Sequence, residues 1–262
     1  MNSRKQPAFF ISHGSPMLAL ETSETTEFLK GFGQKVARPN AIVVFSAHLD
    51  TQSTISITSA ENPKLIYDFY GFPSALYDIH YPASGAPQLA SKIQGLISKV
   101  GLSAELDGQL GWDHGVWMPL YLMYPKADIP IVQVSISTQL GANVNYQLGK
   151  ALASLRSEGV MLIGSGGISH NLPEISSTHP TPNRKEMVSE FTLWIADKLQ
   201  QGDHQALLNY LDEAPHALFN HPTQEHFVPL LAILGASSSD NVTQIHRAVQ
   251  RELLAMDAYQ FG

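Results

Sequence analysis

Three histidines of this sequence follow apolar runs, and their side chains are the ones best suited to chemistry. The three are His13 after residues 8–11, His48 after residues 41–45 and His170 after residues 160–163. Continuous apolar runs rich in β-branched residues are typical of strands covered on both faces, as in a parallel sheet. In open α/β sheets, ligands bind beyond the carboxyl ends of the strands. If these strands are parallel neighbours, the pattern predicts that the three imidazoles converge in one pocket.

Converging imidazoles predict a metal site. The sequence contains no cysteine, so nitrogen and oxygen atoms are the expected ligands. Neutral imidazole binds Zn(II) and non-haem iron, and its ring nitrogens also exchange protons near neutral pH. The histidines could therefore act as ligands, as acid/base groups or as both. A single histidine after a strand is more often structural, whereas the same placement in three strands favours function.

His226 is the candidate for a further ligand, and Glu225 beside it is the competitor. The pattern of residues 223–234 predicts a helix with Thr223 as N-cap and Gly235 as C-terminal stop. Adjacent helical residues point about 100° apart, so only one of the two side chains can face a metal. A facial triad commonly includes one carboxylate, but the apolar periodicity favours the histidine. The structural alternative is a histidine that faces solvent at the helix start.

His114 lies in a second dense cluster, residues 112–117, which read Trp-Asp-His-Gly-Val-Trp. A histidine flanked by aspartate, glycine and two tryptophans is typical of an aromatic-lined pocket with one polar catalytic group. The structural alternative is a core turn in which a backbone carbonyl satisfies the histidine.

The elements that position these residues are predicted from periodicity. The expected helices are residues 87–100, 143–156, 186–199 and 223–234. Residues 129–136 predict another buried strand, and the alternating residues 54–58 predict a half-exposed one. We therefore expect an α/β fold with one domain over residues 1–262: a sheet of mostly parallel strands covered by helices, with the active site at the carboxyl ends. Long loops, which are often functional, are expected at residues 68–87 and 170–183.

The composition excludes several classes of function. The net charge is −7 and lysine and arginine are scattered, so no clustered positive face is expected for nucleic acid. No stretch approaches the ~20 apolar residues of a transmembrane helix, and residues 8–11 are too short for a signal-peptide core. We therefore expect a cytoplasmic protein that binds neither nucleic acid nor membranes.

Other patterns carry less weight. The glycines of residues 164–167 resemble part of a dinucleotide loop, but Ser169 stands where the third glycine belongs. Ser15 does not indicate a serine hydrolase, because the chain has no G-x-S-x-G motif. The remaining histidines are expected to be structural or at the surface: His80, His179, His204, His216, His221 and His246.

Short motifs that occur in order along the chain are similar to a known family. They are HGSP at 13–16, SAH at 46–48, DFYGFP at 68–73, LY at 76–77, YPA at 81–83, DHG at 113–115, SG at 165–166, HNL at 170–172 and the segment 222–229. Together they resemble the DOPA-4,5-dioxygenase-like branch of the class III extradiol ring-cleavage dioxygenases. The ordered set spans residues 8 to about 235.

The resemblance implies roles for five histidines. His13, His48 and His226 match the metal ligands of that family. His170 matches a residue at the metal that is either a ligand or the acid/base, and His114 matches a second acid/base. Better-known class III members have a carboxylate as third ligand, whereas this site is all histidine. One divalent metal per chain is therefore implied, either Fe(II) or Zn(II).

The resemblance also implies an activity: opening of a catechol-type ring, such as that of DOPA, with O2. The expected partners are a small aromatic diol and O2, and the protein is expected to be a monomer or small homo-oligomer. The tryptophans beside His114, with Phe69, Tyr70 and Phe72, could wall the ring, and their loop could close over it. Two alternatives stay open: a zinc-dependent hydrolase on the same site, and a non-catalytic metal-binding protein of the same fold.

Overall fold

The computed structural model describes residues 5–262, and within them the strands form one large sheet and one small one. The strands are β1 (Ala8–Ser12), β2 (Ala41–Asp50), β3 (Ile55–Thr58), β4 (Ala104–Asp107), β5 (Ile131–Ile136), β6 (Val160–Gly166), β7 (Val242–His246), β8 (Val249–Gln250), β9 (Leu254–Ala255) and β10 (Ala258–Phe261). The α-helices are α1 (Glu24–Lys35), α2 (Ser74–Tyr77), α3 (Pro87–Lys99), α4 (His114–Met123), α5 (Gly141–Leu152), α6 (Leu172–Ile175), α7 (Arg184–Gln201), α8 (His204–Leu208), α9 (Tyr210–Glu213), α10 (Ala217–Asn220) and α11 (Val228–Ala236). None of the described helices is long and apolar enough to cross a bilayer.

The large sheet has eight strands in the order β4-β3-β5-β2-β6-β1-β10-β7. Strands β1 and β2 both pair with β6 in parallel, and β5 pairs in parallel with β2. Strand β10 pairs antiparallel with β1 and β7 at one edge. The predicted fold class, a mostly parallel sheet covered by helices, is confirmed. The three strands that lead to the candidate histidines are parallel neighbours, which meets the condition under which their imidazoles are predicted to converge.

Helices cover both faces of the central strands, which explains why these strands are continuously apolar. Along β1, Phe9 and Phe10 point to opposite faces, and each lies in a different hydrophobic core. On one face α5 and α11 approach so closely that a Cβ on Gly149 would overlap the carbonyl oxygen of Ala232. On the other face α4 packs against α1 and β2. The ends of the central strands are therefore rigid supports for side chains.

The prediction that residues 54–58 form a half-exposed strand is wrong. Strand β3 is buried at every position because it lies between β4 and β5 and packs under α3. Its polar residues are small and their groups are bonded in the interior. The backbone N–H of Ser56 donates to Ser135, and the backbone N–H of Gln133 donates to Thr58. Alternation of polar and apolar residues here reflects internal hydrogen bonding and not exposure to solvent.

The prediction of a helix over residues 223–234 is wrong about where the helix begins. Helix α11 begins at Val228 with Pro229 in its first turn, where the missing N–H of proline removes no helical hydrogen bond. Thr223 caps no helix, because its hydroxyl donates to a carboxylate oxygen of Glu225 at 2.9 Å. The segment before α11 is therefore a turn.

Two further helix ends differ from prediction. The helix expected over 143–156 ends at Leu152 and continues as a 3-10 helix, which stops at Gly159 with φ of +83°. Gly235 is not a helix stop but lies inside α11. A glycine is needed there because a Cβ would overlap the carbonyl oxygen of Tyr146 in α5. The other two predicted helices are present with shifted ends, as α3 and α7.

Candidate metal centre

Five histidines from separate segments meet at the carboxyl ends of β1, β2 and β6. His13 directly follows β1, His48 lies near the end of β2, and His170 lies in the turn beyond β6. His114 is the first residue of α4, and His226 lies in the turn before α11. The fold thus brings the three strand-end histidines together, and the two candidates from elsewhere in the chain join them.

The rings of His13, His48 and His226 form a compact triangle. The ring centroids of His13 and His48 are 4.9 Å apart, those of His48 and His226 are 5.1 Å apart, and those of His13 and His226 are 5.4 Å apart. His114 lies against one side, 4.0 Å from His48 and 5.4 Å from His13. The ring of His170 stacks on that of His226 at 3.4 Å and 9°. All five rings are therefore near neighbours of one central space.

The hydrogen bonds around His13 determine which of its nitrogens carries the proton. Its Nδ1 lies 3.0 Å from the Ser165 hydroxyl oxygen, and that hydroxyl donates its own hydrogen to the carbonyl of Gly115. Ser165 must therefore accept from Nδ1–H, which leaves the lone pair of His13 on Nε2. The ring is oriented in the way that outer hydrogen bonds orient metal-binding histidines.

His48 has the same tautomer for a different reason. Its Nδ1 lies 3.3 Å from a carboxylate oxygen of Asp68, a charge contact that attracts an N–H and repels a lone pair at this nitrogen. The lone pair of His48 is then also on Nε2, 3.0 Å from Nε2 of His13. Two lone pairs at this separation repel each other unless a cation or a proton lies between them. The pair therefore has the donor arrangement of a shared cation site.

The third ring of the triangle presents an unpartnered nitrogen. Nδ1 of His226 lies 3.0 Å from Oε1 of Glu225, and its Nε2 is buried without a hydrogen-bond partner. A buried polar atom left unpaired costs about 1–3 kcal/mol, and this cost is removed when a ligand pairs with the atom. Glu225, the competitor in the sequence, thus contacts the outer nitrogen of His226.

Burial keeps these imidazoles neutral. Removal from water lowers the pKa of His13 and of His226 well below the usual histidine value, and the neighbouring imidazoles lower both further. The same effect lowers the pKa of His48 to about 3 and that of His170 to about 4. At pH 7 the lone pairs are therefore available, and a metal ion does not have to displace a proton from these rings.

Asp68 holds His114 as well as His48. Both carboxylate oxygens lie 2.9 Å from Nδ1 of His114, and Oδ1 also accepts the backbone N–H of His114 at 2.9 Å. Burial alone would raise the pKa of Asp68, but the hydrogen bonds and charge interaction with His114 hold it below its ordinary value. Asp68 is therefore ionised, accepts hydrogen bonds from His114 and faces Nδ1 of His48 with its charge.

The donor set suits a metal ion. Within the described residues, the donor atoms of His13, His48 and His114 lie within 4.8 Å of one another, and so do those of His170, Glu225 and His226. These donors are imidazole nitrogens with one carboxylate, which are ligand types of Zn(II) and non-haem iron. The buried unpaired Nε2 of His226 and the facing Nε2 atoms of His13 and His48 both fit a cation at this place.

Comparison with known proteins identifies the family. The family model described as the catalytic LigB subunit of aromatic ring-opening dioxygenase matches residues 7–262. The chain belongs to the LigB family. The 4,5-DOPA dioxygenase extradiol of Escherichia coli (strain K12) is 40% identical, covering 100% of this chain and 97% of its own. The Beta vulgaris protein of the same name is 38% identical, covering 97% and 95%.

A solved structure supports the same relationship for this LigB-family chain. The crystal structure of an uncharacterized protein from Escherichia coli K12 superposes with a TM-score of 0.80 at 35% identity, covering 98% of this chain and 100% of that one. A 4,5-DOPA dioxygenase extradiol-like protein of Schizosaccharomyces pombe is 35% identical over 89% of this chain and 85% of its own. The histidine cluster described above is thus set in the fold of aromatic ring-opening dioxygenases.

Aromatic side chains line only part of the site. The ring of Phe69 lies 5.7 Å from His114, and Phe72 packs on Phe69 at 5.3 Å. The ring centroid of Trp117 lies 6.2 Å from that of Phe69, and Trp117 is fully buried. Tyr70 is 92% exposed, so the expectation that it walls the site is wrong in this conformation. The next residue, Gly71, has a φ of +77°.

Sequence reasoning gave no role to the residues that hold the histidines by their outer nitrogens. Asp68 and Ser165 stood in the motifs without a role, and Glu225 was considered only as a ligand. Among the histidines expected to be structural or at the surface, His221 is 1% exposed, and its Nε2 donates to the carbonyl of Ile168 at 2.8 Å. It is a buried structural residue.

The unfolding free energy of the metal-free LigB-family protein is expected to fall as the pH drops from about 6.5 to 4. Burial lowers the pKa of His221 to about 4. Between that value and the unfolded pKa of about 6.5, the unfolded chain binds more protons, so acid favours unfolding. This one group contributes on the order of 3 kcal/mol, and the clustered histidines add to it. Asp257 opposes the trend, because burial raises its pKa to about 7.

Urea unfolding at several pH values across this window measures the effect. The matched variant is His221→Gln, whose amide can still donate to the carbonyl of Ile168 but does not titrate. Its stability should depend less steeply on pH than that of the wild type. An unfolding free energy that is the same for both proteins across the window would contradict the prediction.

Proposed function

We propose that this chain is a metal-dependent extradiol dioxygenase that opens the ring of a catechol-type substrate, such as DOPA, and incorporates both atoms of O2. The observation that carries the proposal is the triangle of histidines whose Nδ1 atoms face the Ser165 hydroxyl, the Asp68 carboxylate and the Glu225 carboxylate, an arrangement that favours lone pairs on Nε2. Membership of the LigB family and relatives named 4,5-DOPA dioxygenase extradiol support the reaction and the substrate class.

His13, His48 and His226 would hold one divalent ion per chain, with His170 within or just beyond bonding distance. Acceptors on the outer nitrogens fix the tautomer of such ligands and raise their basicity. When bound, ferrous iron supplies the redox chemistry that lets O2 react with a catechol, which Zn(II) lacks. We therefore propose Fe(II) as the metal of the active form, while Zn(II) fits the same nitrogen donors.

His114 is the group that we propose takes a proton from the catechol. Its Nδ1–H is held by Asp68, so Nε2 is the atom that accepts, and the carboxylate stabilises the imidazolium that results. His170 is the second acid/base in this proposal. Its ring is neutral at pH 7, since burial lowers its pKa to about 4, and its position against His226 places it at the same central space.

The aromatic side chains beside His114 suit a flat apolar ring. Phe69 presents its ring at 84° to that of His114, and Tyr77 packs on Phe69 at 5.3 Å. Such contacts exclude water from one side of the site and leave the polar recognition to the histidines. Closure of the loop at residues 68–73 over a substrate stays a prediction, as do the cytoplasmic location and the oligomeric state.

The proposed activity is tested by reconstituting the metal-free protein anaerobically with Fe(II) or with Zn(II) and adding a panel of catechols that includes DOPA. The Fe(II) form should consume O2 and give a yellow ring-opened product, and the Zn(II) form should give neither. The matched substrate control is a monophenol of the same shape, because it lacks the second hydroxyl.

The hydrolase alternative predicts the opposite pattern. The Zn(II) form would then hydrolyse ester or amide substrates through a metal-activated water. Ester or amide hydrolysis by the Zn(II) form, together with no O2 uptake by the Fe(II) form on any catechol, would replace the dioxygenase proposal with the hydrolase one.

A further inference from the structure

The Asp68 carboxylate contacts two histidines that come from different elements. It is 2.9 Å from Nδ1 of His114 and 3.3 Å from Nδ1 of His48, and the two rings lie 4.0 Å apart. Its side chain is 22% exposed, so water does not fully screen these contacts. The Asp68 carboxylate therefore lies at the outer nitrogen, Nδ1, of both His48, a member of the triangle, and His114, the neighbouring acid/base candidate.

The segment that carries Asp68 is fixed to the segment that carries His114. The backbone N–H of Ile66 donates to the carbonyl of Trp112 at 2.7 Å, and the N–H of Trp112 donates to the carbonyl of Lys64 at 2.9 Å. A Cβ on Gly111 would overlap that Lys64 carbonyl, so the two segments lie in close contact. The carboxylate is thus presented by a short parallel pairing of backbone and not by a free loop.

Asp68 also accepts a hydrogen bond from the N-terminal end of α4, as a capping residue does. The residue in the N-cap position, Asp113, makes no capping bond, because its carboxylate accepts from Ser46 and Gln133 instead. The backbone N–H of His114 is bonded by Asp68 in its place. The same carboxylate therefore binds both the first backbone N–H of α4 and the ring of its first side chain.

We infer that Asp68 is a positioning residue that sets the tautomer and the orientation of His48 and His114 together. This inference rests on the proposed function for the roles of the two histidines, one as metal ligand and one as acid/base. The carboxylate accepts Nδ1–H from His114, and its charge 3.3 Å from Nδ1 of His48 attracts an N–H and repels a lone pair there, which favours both lone pairs on Nε2. No neutral side chain of the same size can accept both hydrogen bonds from His114 and also present an acceptor to Nδ1 of His48.

Asp68→Asn tests the metal half of the inference, since it removes the charge and can keep the amide oxygen on His114 while the amide nitrogen, a donor, takes the place of Oδ2 facing His48. We expect affinity for Zn(II) and Co(II) to fall about 10–100-fold, as is typical when the outer partner of a metal-binding histidine is lost. Competition with a chromophoric chelator measures the affinity, and the visible spectrum of the Co(II) form should shift. The matched control is Asp78→Asn, an exposed carboxylate in the same loop, which should change neither.

The tautomer of His114 tests the other half without any turnover. Long-range proton–nitrogen spectra of the ring nitrogens in the diamagnetic Zn(II) form, with His114 assigned by its absence in His114→Asn, should show Nδ1–H in the wild type and loss of that state in Asp68→Ala, which removes both acceptor oxygens. Asp68→Glu, which keeps the charge, should retain Nδ1–H and recover part of the metal affinity. Thermal melts of each variant verify that the fold is intact.

Two results would overturn the inference. The first is a folded Asp68→Asn protein with wild-type metal affinity and Co(II) spectrum. The second is an unchanged His114 tautomer in a folded Asp68→Ala protein. Both readouts are independent of catechol cleavage, so a failure of the proposed function would show as absent O2 uptake by the wild type while these results still decide the role of Asp68.

Discussion

The His13→Ala protein is expected to bind no stoichiometric metal and to show no measurable ring cleavage. His13 provides the Nε2 that lies 3.0 Å from that of His48, and its ring is 5.4 Å from that of His226. Its removal leaves two imidazoles of the triangle, which make a poor site. Metal ions contribute several kcal/mol to catalysis, so the rate should fall by more than about 10³-fold.

Metal analysis after reconstitution and dialysis, with O2 uptake on the same samples, measures both effects. The control variant is His246→Ala, which removes a histidine that stacks on Phe28 away from the cluster. It should keep one ion per chain and wild-type turnover. A His13→Ala protein that keeps one tightly bound ion would show that the ligands lie elsewhere in the cluster.

The His114→Asn protein is expected to keep its metal and lose turnover. General acid/base groups contribute about 10²–10⁴-fold in rate, so kcat should fall by roughly this factor at full metal occupancy. The structural alternative predicts a different result, in which Asp68 loses a partner and stability falls by about 1–3 kcal/mol. Activity per metal-loaded molecule would then stay close to that of the wild type.

Turnover at equal metal content separates the two roles. Each preparation is titrated to one Fe(II) per chain before the rates are compared, and thermal melts record stability independently. Near-normal turnover in the loaded His114→Asn protein would remove His114 from the catalytic residues and leave His170 as the acid/base. Loss of the metal would instead make His114 a ligand, which its place within 4.8 Å of the donor atoms of His13 and His48 allows.

The strand-end pattern predicted where the site lies because parallel neighbours place their carboxyl ends at one edge of the sheet. Strands β1, β6 and β2 are adjacent, so His13, His170 and His48 come together as expected. The place of each histidine could be predicted because each strand is a continuous apolar run that is easily recognised in the sequence, and the histidine lies at its carboxyl end. His226 was also expected near the cluster, although its helix begins later than predicted.

The partners of the histidines could not be predicted in the same way. Ser165 is 152 residues from the His13 that it orients, and Asp68 is 46 residues from His114. No local periodicity links residues so far apart, because their contacts depend on how whole elements pack. Asp68 stood in a recognised motif, but the sequence alone did not show which nitrogens it holds.

The C-terminal strands were missed for a related reason. Strands β7 and β10 are short, and β7 is partly exposed, so their strand character comes from pairing with distant segments more than from their own residues. Strand β10 pairs with β1, and the carbonyl just before it, that of Asp257, accepts from the backbone N–H of Ser12 at 3.2 Å. That contact lies next to His13 and helps to fix the end of β1.

Single-turnover cleavage of DOPA under isotopically heavy O2, by protein loaded with Fe(II), directly tests whether this chain opens a catechol ring and incorporates both atoms of O2. Mass spectrometry of the trapped ring-opened product counts the oxygen atoms that came from O2. We expect each product molecule to carry both heavy atoms, and we expect the same protein loaded with Zn(II) to give no product. A product without oxygen from O2, or no product from any catechol despite one bound Fe(II) per chain, would contradict the assignment of this chain as a ring-opening dioxygenase.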